Sequence, residues 1–115
     1  MKSTKLVTAP TLSPLKGVEM AILGSGEKTT FLRITLQPGS TISEHSHHNE
    51  QIGTCLEGRG KLVSGGETLQ VSPGISWTIF ANEPHSFTAE GKQPAVLYEA
   101  FSPPREDYLA MVKKK

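Results

Sequence analysis

Three of the four histidines in this chain fall within four positions, His45, His47 and His48, in the stretch GSTISEHSHHNEQIGTCLEG; the fourth stands alone at His85. Imidazole is the commonest side-chain ligand for first-row divalent metals. Residues two apart in an extended segment project to the same face, so His45 and His47 can offer ring nitrogens to one ion. Gln51 follows four positions later, and across one turn its side-chain carbonyl returns to the same point. His85, opening a strand after a tight turn, completes the set from another part of the sheet. A lone His-x-His pair in a loop reads first as solvated polarity; the amide and the distant histidine are what turn it into a metal site. His48 points the other way from His47 and is expected to be exposed or to lie behind the ligands.

The expected cofactor is one divalent transition metal, with Zn, Ni, Mn and Fe all compatible with these ligands. Three imidazoles and an amide are neutral, so the ion keeps its full charge. Such a site suits an anionic substrate and stabilises a developing enolate or alkoxide.

A second chemical stretch is YEAFSPPREDYL, residues 98–109. On a strand, Leu97, Glu99 and Phe101 share a face opposite Val96, Tyr98 and Ala100. A glutamate between two inward apolar residues needs a partner or a task. Glu99 as acid/base, Arg105 as both catalytic partner and carboxylate clamp, and Phe101 as an apolar wall of the substrate site would fit beside the metal. The structural alternative is an internal Glu99–Arg105 ion pair that ties down the C-terminus. Trp77 and Phe80 have opposite parity on their strand, so only one can face a pocket; core packing is expected for either.

The elements that must position these groups are short. Gly and Pro together make 19 of 115 residues, and apolar residues come in brief runs, which favours strands and turns over a helical bundle. Strands are expected at 18–23, 29–36, 51–56, 61–64, 68–71, 75–80, 85–89 and 95–101, with a turn at Gly24-Ser25-Gly26. A C-terminal helix is expected from Pro104 to Val112 with Ser102 as N-cap. Spacing of eight to twelve residues between strands points to an antiparallel sandwich or barrel. Residues 1–115 read as one domain: an N-terminal arm (1–16) with one short strand, a barrel (17–101), and a helical turn with a basic tail (102–115).

Twelve basic against eleven acidic side chains leave no net field to attract nucleic acid or an anionic membrane. The terminal triple lysine reads as a solvated tail. Cys55, the single cysteine, cannot close an internal disulfide and reads as a small buried strand residue rather than a nucleophile. Without a signal-like or membrane-spanning apolar run, the expected location is the cytoplasm.

The order Gly39, five residues, His45-x-His47, three residues, Gln51, six residues, Gly58 resembles the first motif of the cupins, with Gln51 in place of the usual glutamate. Gly74 and, eleven later, His85 resemble the second, with Phe80, Asn82 and Ala89 where proline, glycine and asparagine are usual. The resemblance runs from Gly17 to Tyr108 and implies a cupin-type antiparallel β-barrel of the jelly-roll kind, commonly dimeric, with the ligand set His45, His47, Gln51 and His85. The ending around FSPPRED resembles KdgF-type cupins, which ketonise unsaturated uronates. That likeness implies pocket roles for Glu99, Phe101 and Arg105, although Glu99 replaces the aspartate usual there. Three functions follow as expectations: a metal-dependent isomerase of a small carboxylated sugar derivative, an iron-dependent dioxygenase, and a non-catalytic binding module for a metal or small acid.

Overall fold

The computed structural model describes residues 1–112; the triple-lysine tail lies outside them. Ten strands form two antiparallel sheets. They are β1 (Thr11–Leu15), β2 (Val18–Ser25), β3 (Thr30–Leu36), β4 (Thr41–His45), β5 (Glu50–Glu57), β6 (Arg59–Ser64), β7 (Glu67–Val71), β8 (Ser76–Ile79), β9 (His85–Glu90) and β10 (Ala95–Ser102). The six-stranded sheet runs β1-β2-β3-β10-β5-β8 and the four-stranded sheet β4-β9-β6-β7. A short helix, α1 (Glu106–Met111), ends the described chain. This is the all-β cupin architecture expected from the sequence, with the C-terminal helix in place.

Alternation builds the barrel wall. Along β3, Leu32, Ile34 and Leu36 are almost wholly buried while Phe31, Arg33 and Thr35 face outward. Each such inward leucine or isoleucine contributes about 1.5–3 kcal/mol relative to exposure. Across the barrel Leu62, Val71 and Phe87 of the second sheet join the same cluster. The histidines gather where the end of β4 meets the start of β9.

Several elements differ from the sequence reading. Strand β4 was not foreseen, because TISEH places only Ile42 toward the core cluster; its pairing with β9 holds it in the sheet. Strand β2 continues through the expected turn to Ser25, whose hydroxyl bonds that of Thr30 at 2.8 Å, and the reversal is closed by the Gly26 N–H on the Thr29 carbonyl. Helix α1 starts later than expected because Ser102 is still paired with Glu50 of β5. Its hydroxyl donates to the Lys28 carbonyl rather than capping the helix, and Arg105 occupies the cap position. Phe80 is 62% exposed and packs in no core, since β8 ends at Ile79; Trp77 is the one turned inward.

The turn before β9 explains one motif departure. Asn82, standing where a cupin motif usually has glycine, adopts a left-handed backbone with φ 66°, a conformation asparagine tolerates better than most residues. Its N–H donates to the His47 carbonyl at 2.8 Å, so this turn is fastened to the histidine segment.

Candidate metal centre and adjoining pocket

His45 ends β4 and His85 opens β9, directly opposite in the register. Their ring centroids are 4.3 Å apart, and His47, just past β4, lies 5.6 Å from His45 and 5.0 Å from His85. One nitrogen from each lies within 4.8 Å of the others. The three histidines are positioned to hold a metal ion.

Each ring is oriented by the same device. Nδ1 of His45 meets the Ser43 carbonyl at 2.8 Å, Nδ1 of His47 the Asn49 carbonyl at 3.0 Å, and Nδ1 of His85 the Glu83 carbonyl at 2.8 Å. A carbonyl only accepts, so each Nδ1 carries the proton and each Nε2 is left with a bare lone pair, the form a metal requires. Burial, then the nearby Arg105 guanidinium and His85, lowers the His47 pKa to about 4. Burial also lowers that of His85. Both rings are thus neutral and ready to ligate at neutral pH.

The fit to a metal can be tested on the polar atoms themselves. His47 Nε2 and Gln51 Oε1 are buried and make no hydrogen bond among the described residues. Two orphaned acceptors of this kind are costly unless a cation or donor meets them. The amide direction is set from its far side, where Gln51 Nε2 donates to Glu99 Oε2 at 2.6 Å. The donor set, imidazole nitrogens and an amide oxygen, fits a divalent transition metal. His48 is exposed and takes no part.

Glu99 is buried on β10, beside Gly53 of β5 in the register. Its Oε2 also accepts from Trp77 Nε1 at 3.1 Å. Burial raises its carboxyl pKa above the ordinary value, with the Trp77 and Gln51 donors opposing that shift. The anticipated Glu99–Arg105 ion pair is not formed. Arg105 instead makes a bidentate pair with Asp107, through Nε at 3.0 Å and Nη2 at 2.9 Å. Its guanidinium lies 3.7 Å from the Tyr108 ring centroid and 4.8 Å from that of Phe101. Phe101 in turn meets the His47 ring edge-on at 5.8 Å.

His45, Gln51, His85, Glu99, Phe101 and Arg105 line one cavity of about 440 Å³, counted to its open mouth. Sequence reasoning missed four supporting residues. Trp77 and Tyr108 also line the cavity, beside apolar core residues such as Met20, Ile34 and Phe87. Thr30 accepts the Arg105 backbone N–H at 3.0 Å. Buried Asn49 donates to the carbonyls of Pro103 and Pro104 while its own carbonyl holds His47. Parity marked Trp77 as one of two candidates, but nothing local marks Asn49 or Thr30, because the backbone groups that their side chains bond lie more than 50 residues away.

The chain is similar to several known proteins. Over 77 residues, 64% of the chain, it is 36% identical to the HTH-type transcriptional regulator PuuR of Escherichia coli (strain K12), and it spans 42% of that protein's length. It is 25% identical over 89 residues to the L-ectoine synthase of Hyphomonas neptunium, covering 76% of this chain and 66% of that one. KdgF from Halomonas sp. superposes with a TM-score of 0.86 at 19% identity, covering 93% of this chain and 97% of that one. An RmlC-like cupin from Shewanella frigidimarina also gives 0.86 at 19% identity, over 94% and 96%. The two structures share the fold. The cupin domain profile matches residues 32–101, from the buried Leu32 of β3 through both histidine segments to Phe101, and the chain belongs to the cupin family.

Proposed function

We propose that this cupin is a metal-dependent isomerase that converts the enol form of a small carboxylated sugar derivative, an unsaturated uronate, to its keto form. The observation that carries the reading is the placing of a buried carboxylate and a buried guanidinium on the walls of the cavity that His45 and His85 also line. A hydrophobic substrate would leave Glu99 Oε1 and the Arg105 nitrogens that Asp107 does not engage without a partner, whereas a sugar acid matches them.

His45, His47, His85 and the Gln51 carbonyl would hold the ion, which supplies Lewis-acid stabilisation of negative charge on an adjacent oxygen. Arg105 presents the substrate carboxylate with the nitrogens that Asp107 does not use, kept flat by Phe101 and Tyr108. Glu99 accepts the enol hydroxyl proton and returns a proton to the neighbouring carbon, so no atom is gained or lost. Burial raises its pKa, which makes the carboxylate a better proton acceptor than an ordinary glutamate. Acid–base help of this kind is worth ~10²–10⁴-fold. The neutral ligand set leaves the negative charge of Glu99 one hydrogen bond behind the metal instead of on it.

The test is the loss of enol ultraviolet absorbance from a 4,5-unsaturated uronate, followed with metal-loaded and metal-stripped protein. Metal-dependent acceleration that Glu99→Gln abolishes without weakening substrate binding supports the reading. No acceleration by fully loaded protein removes the substrate assignment, and oxygen uptake by the Fe(II) form then tests a dioxygenase.

A further inference from the structure

Gly53 stands in the register between Glu99 on β10 and Trp77 on β8. A side chain there would point into the barrel, and its Cβ would lie 2.5 Å from Trp77 Nε1 and 2.6 Å from Cε2. Gly53 has an ordinary backbone with no positive φ, so space and not conformation requires glycine. The indole fills that space, crossing β5 to reach the carboxylate two strands away. On the same oxygen, Oε2, the Gln51 amide donates from the neighbouring position. No donor among the described residues meets Oε1.

Building on the isomerase reading, we propose that Gly53 and Trp77 are positioning residues: the gap left by Gly53 admits the Trp77 indole, whose N–H, with that of Gln51, ties down Glu99 Oε2 and leaves Oε1 as the proton-transfer atom toward substrate. No hydrogen bond links either residue to the histidine rings, whose Nδ1 atoms are held by other carbonyls, so the histidine ligands would be oriented without them.

Trp77 is the only tryptophan, and its indole N–H gives a single nitrogen–proton correlation in NMR spectra of metal-free protein. A carboxylate acceptor moves that proton downfield, and both Glu99→Gln and Gly53→Ala are expected to return it toward the free-indole position. With metal restored, Gly53→Ala and Trp77→Phe are expected to keep wild-type metal content and a KM within about twofold, while kcat falls roughly 10–100-fold, as for a catalytic group displaced by about an ångström. Trp77→Phe keeps an aromatic ring while removing the N–H, and serves if Gly53→Ala does not fold. An indole signal indifferent to Glu99→Gln overturns the proposal, and so does a Trp77→Phe enzyme with undiminished kcat. Wild-type protein inert toward uronates would sink the substrate reading alone, and the indole comparison would still decide whether Trp77 holds Glu99.

Discussion

His45 and His85 face each other across β4 and β9, ring centroids 4.3 Å apart, each with Nδ1 fixed on the carbonyl two residues before it. The pairing of two strands thus sets both the distance and the tautomer of two imidazoles before any ion arrives. Replacing His45, His47 or His85 by alanine is expected to weaken divalent metal binding by at least about 100-fold, since loss of a mere supporting hydrogen bond costs 10–100-fold. His48→Ala, at an exposed position, is expected to bind as the parent does. Titration calorimetry on the four variants checks this, and equal weakening by His48→Ala would refute the assignment.

Gln51 and Glu99 form a donor–acceptor pair at 2.6 Å in the barrel interior. Gln51→Glu would set two carboxylates in contact, and Glu99→Gln would leave two amides with the indole N–H unmatched to an anion. Each single change is expected to cost the metal-free protein about 3 kcal/mol, the scale for breaking a buried charged contact. The double change Gln51→Glu with Glu99→Gln restores a carboxylate–amide bond with its polarity reversed, and is expected to recover most of that loss. Urea unfolding of the four proteins gives the coupling directly. Additive losses in the double variant would mean that the two side chains do not interact.

Gly58 shows how far a motif glycine can be explained by space. Its φ is 73°, and a Cβ would lie 2.4 Å from the Pro94 carbonyl oxygen and 2.7 Å from the Ala95 Cα. These are backbone atoms of the strand entry and cannot swing aside. Gly58→Ala is expected to destabilise by about 2–4 kcal/mol through the combined backbone strain and overpacking. The site lies far along β5, so metal affinity of the folded fraction should not change. A melting temperature equal to the parent's would contradict this account.

Local pattern made most of this architecture readable. The alternation in β3 and β10 declared which residues face inward, and Leu97, Glu99 and Phe101 are buried together as that parity requires. The histidine cluster was legible because the spacing of His45 and His47 is local and strand pairing only had to bring in His85. What the sequence hid is long-range. Arg105 and Glu99 are six residues apart, yet each found a different partner: Asp107 two residues on, and Gln51 and Trp77 from neighbouring strands. Strand β4 was hidden because its residues are polar and its membership in the sheet rests on β9. Phe80 was misread because parity says which side a residue takes but not where the strand stops.

The Arg105–Asp107 fork bears on both binding and pH. Hydrogen bonds from Arg105 hold the Asp107 carboxyl below its ordinary value of 3.8. Between the folded and unfolded values the unfolded chain binds more protons, so the pair's contribution to stability is present above about pH 4 and is lost as pH falls through the depressed value. The Asp107 side chain is 61% exposed, so solvent screening keeps that contribution small. Its larger effect is geometric. With Nε and Nη2 engaged, the guanidinium is held against Phe101 and Tyr108 and its remaining edge is presented to the cavity. Asp107→Asn is expected to raise the KM of a carboxylated substrate several-fold and leave kcat nearly unchanged, because it loosens a binding group and spares the proton-transfer group. The small stability gap between Asp107→Asn and the parent should be visible at pH 6 and should close in acid. Arg105→Lys is expected to behave almost as badly as Arg105→Ala, since an ammonium can neither fork onto Asp107 nor stack between two rings. Steady-state kinetics of the three variants, with thermal melts from pH 2.5 to 6, decide the matter. A lysine that restores KM would show that only the positive charge counts, and the positioning of Arg105 by Asp107 would then have no catalytic meaning.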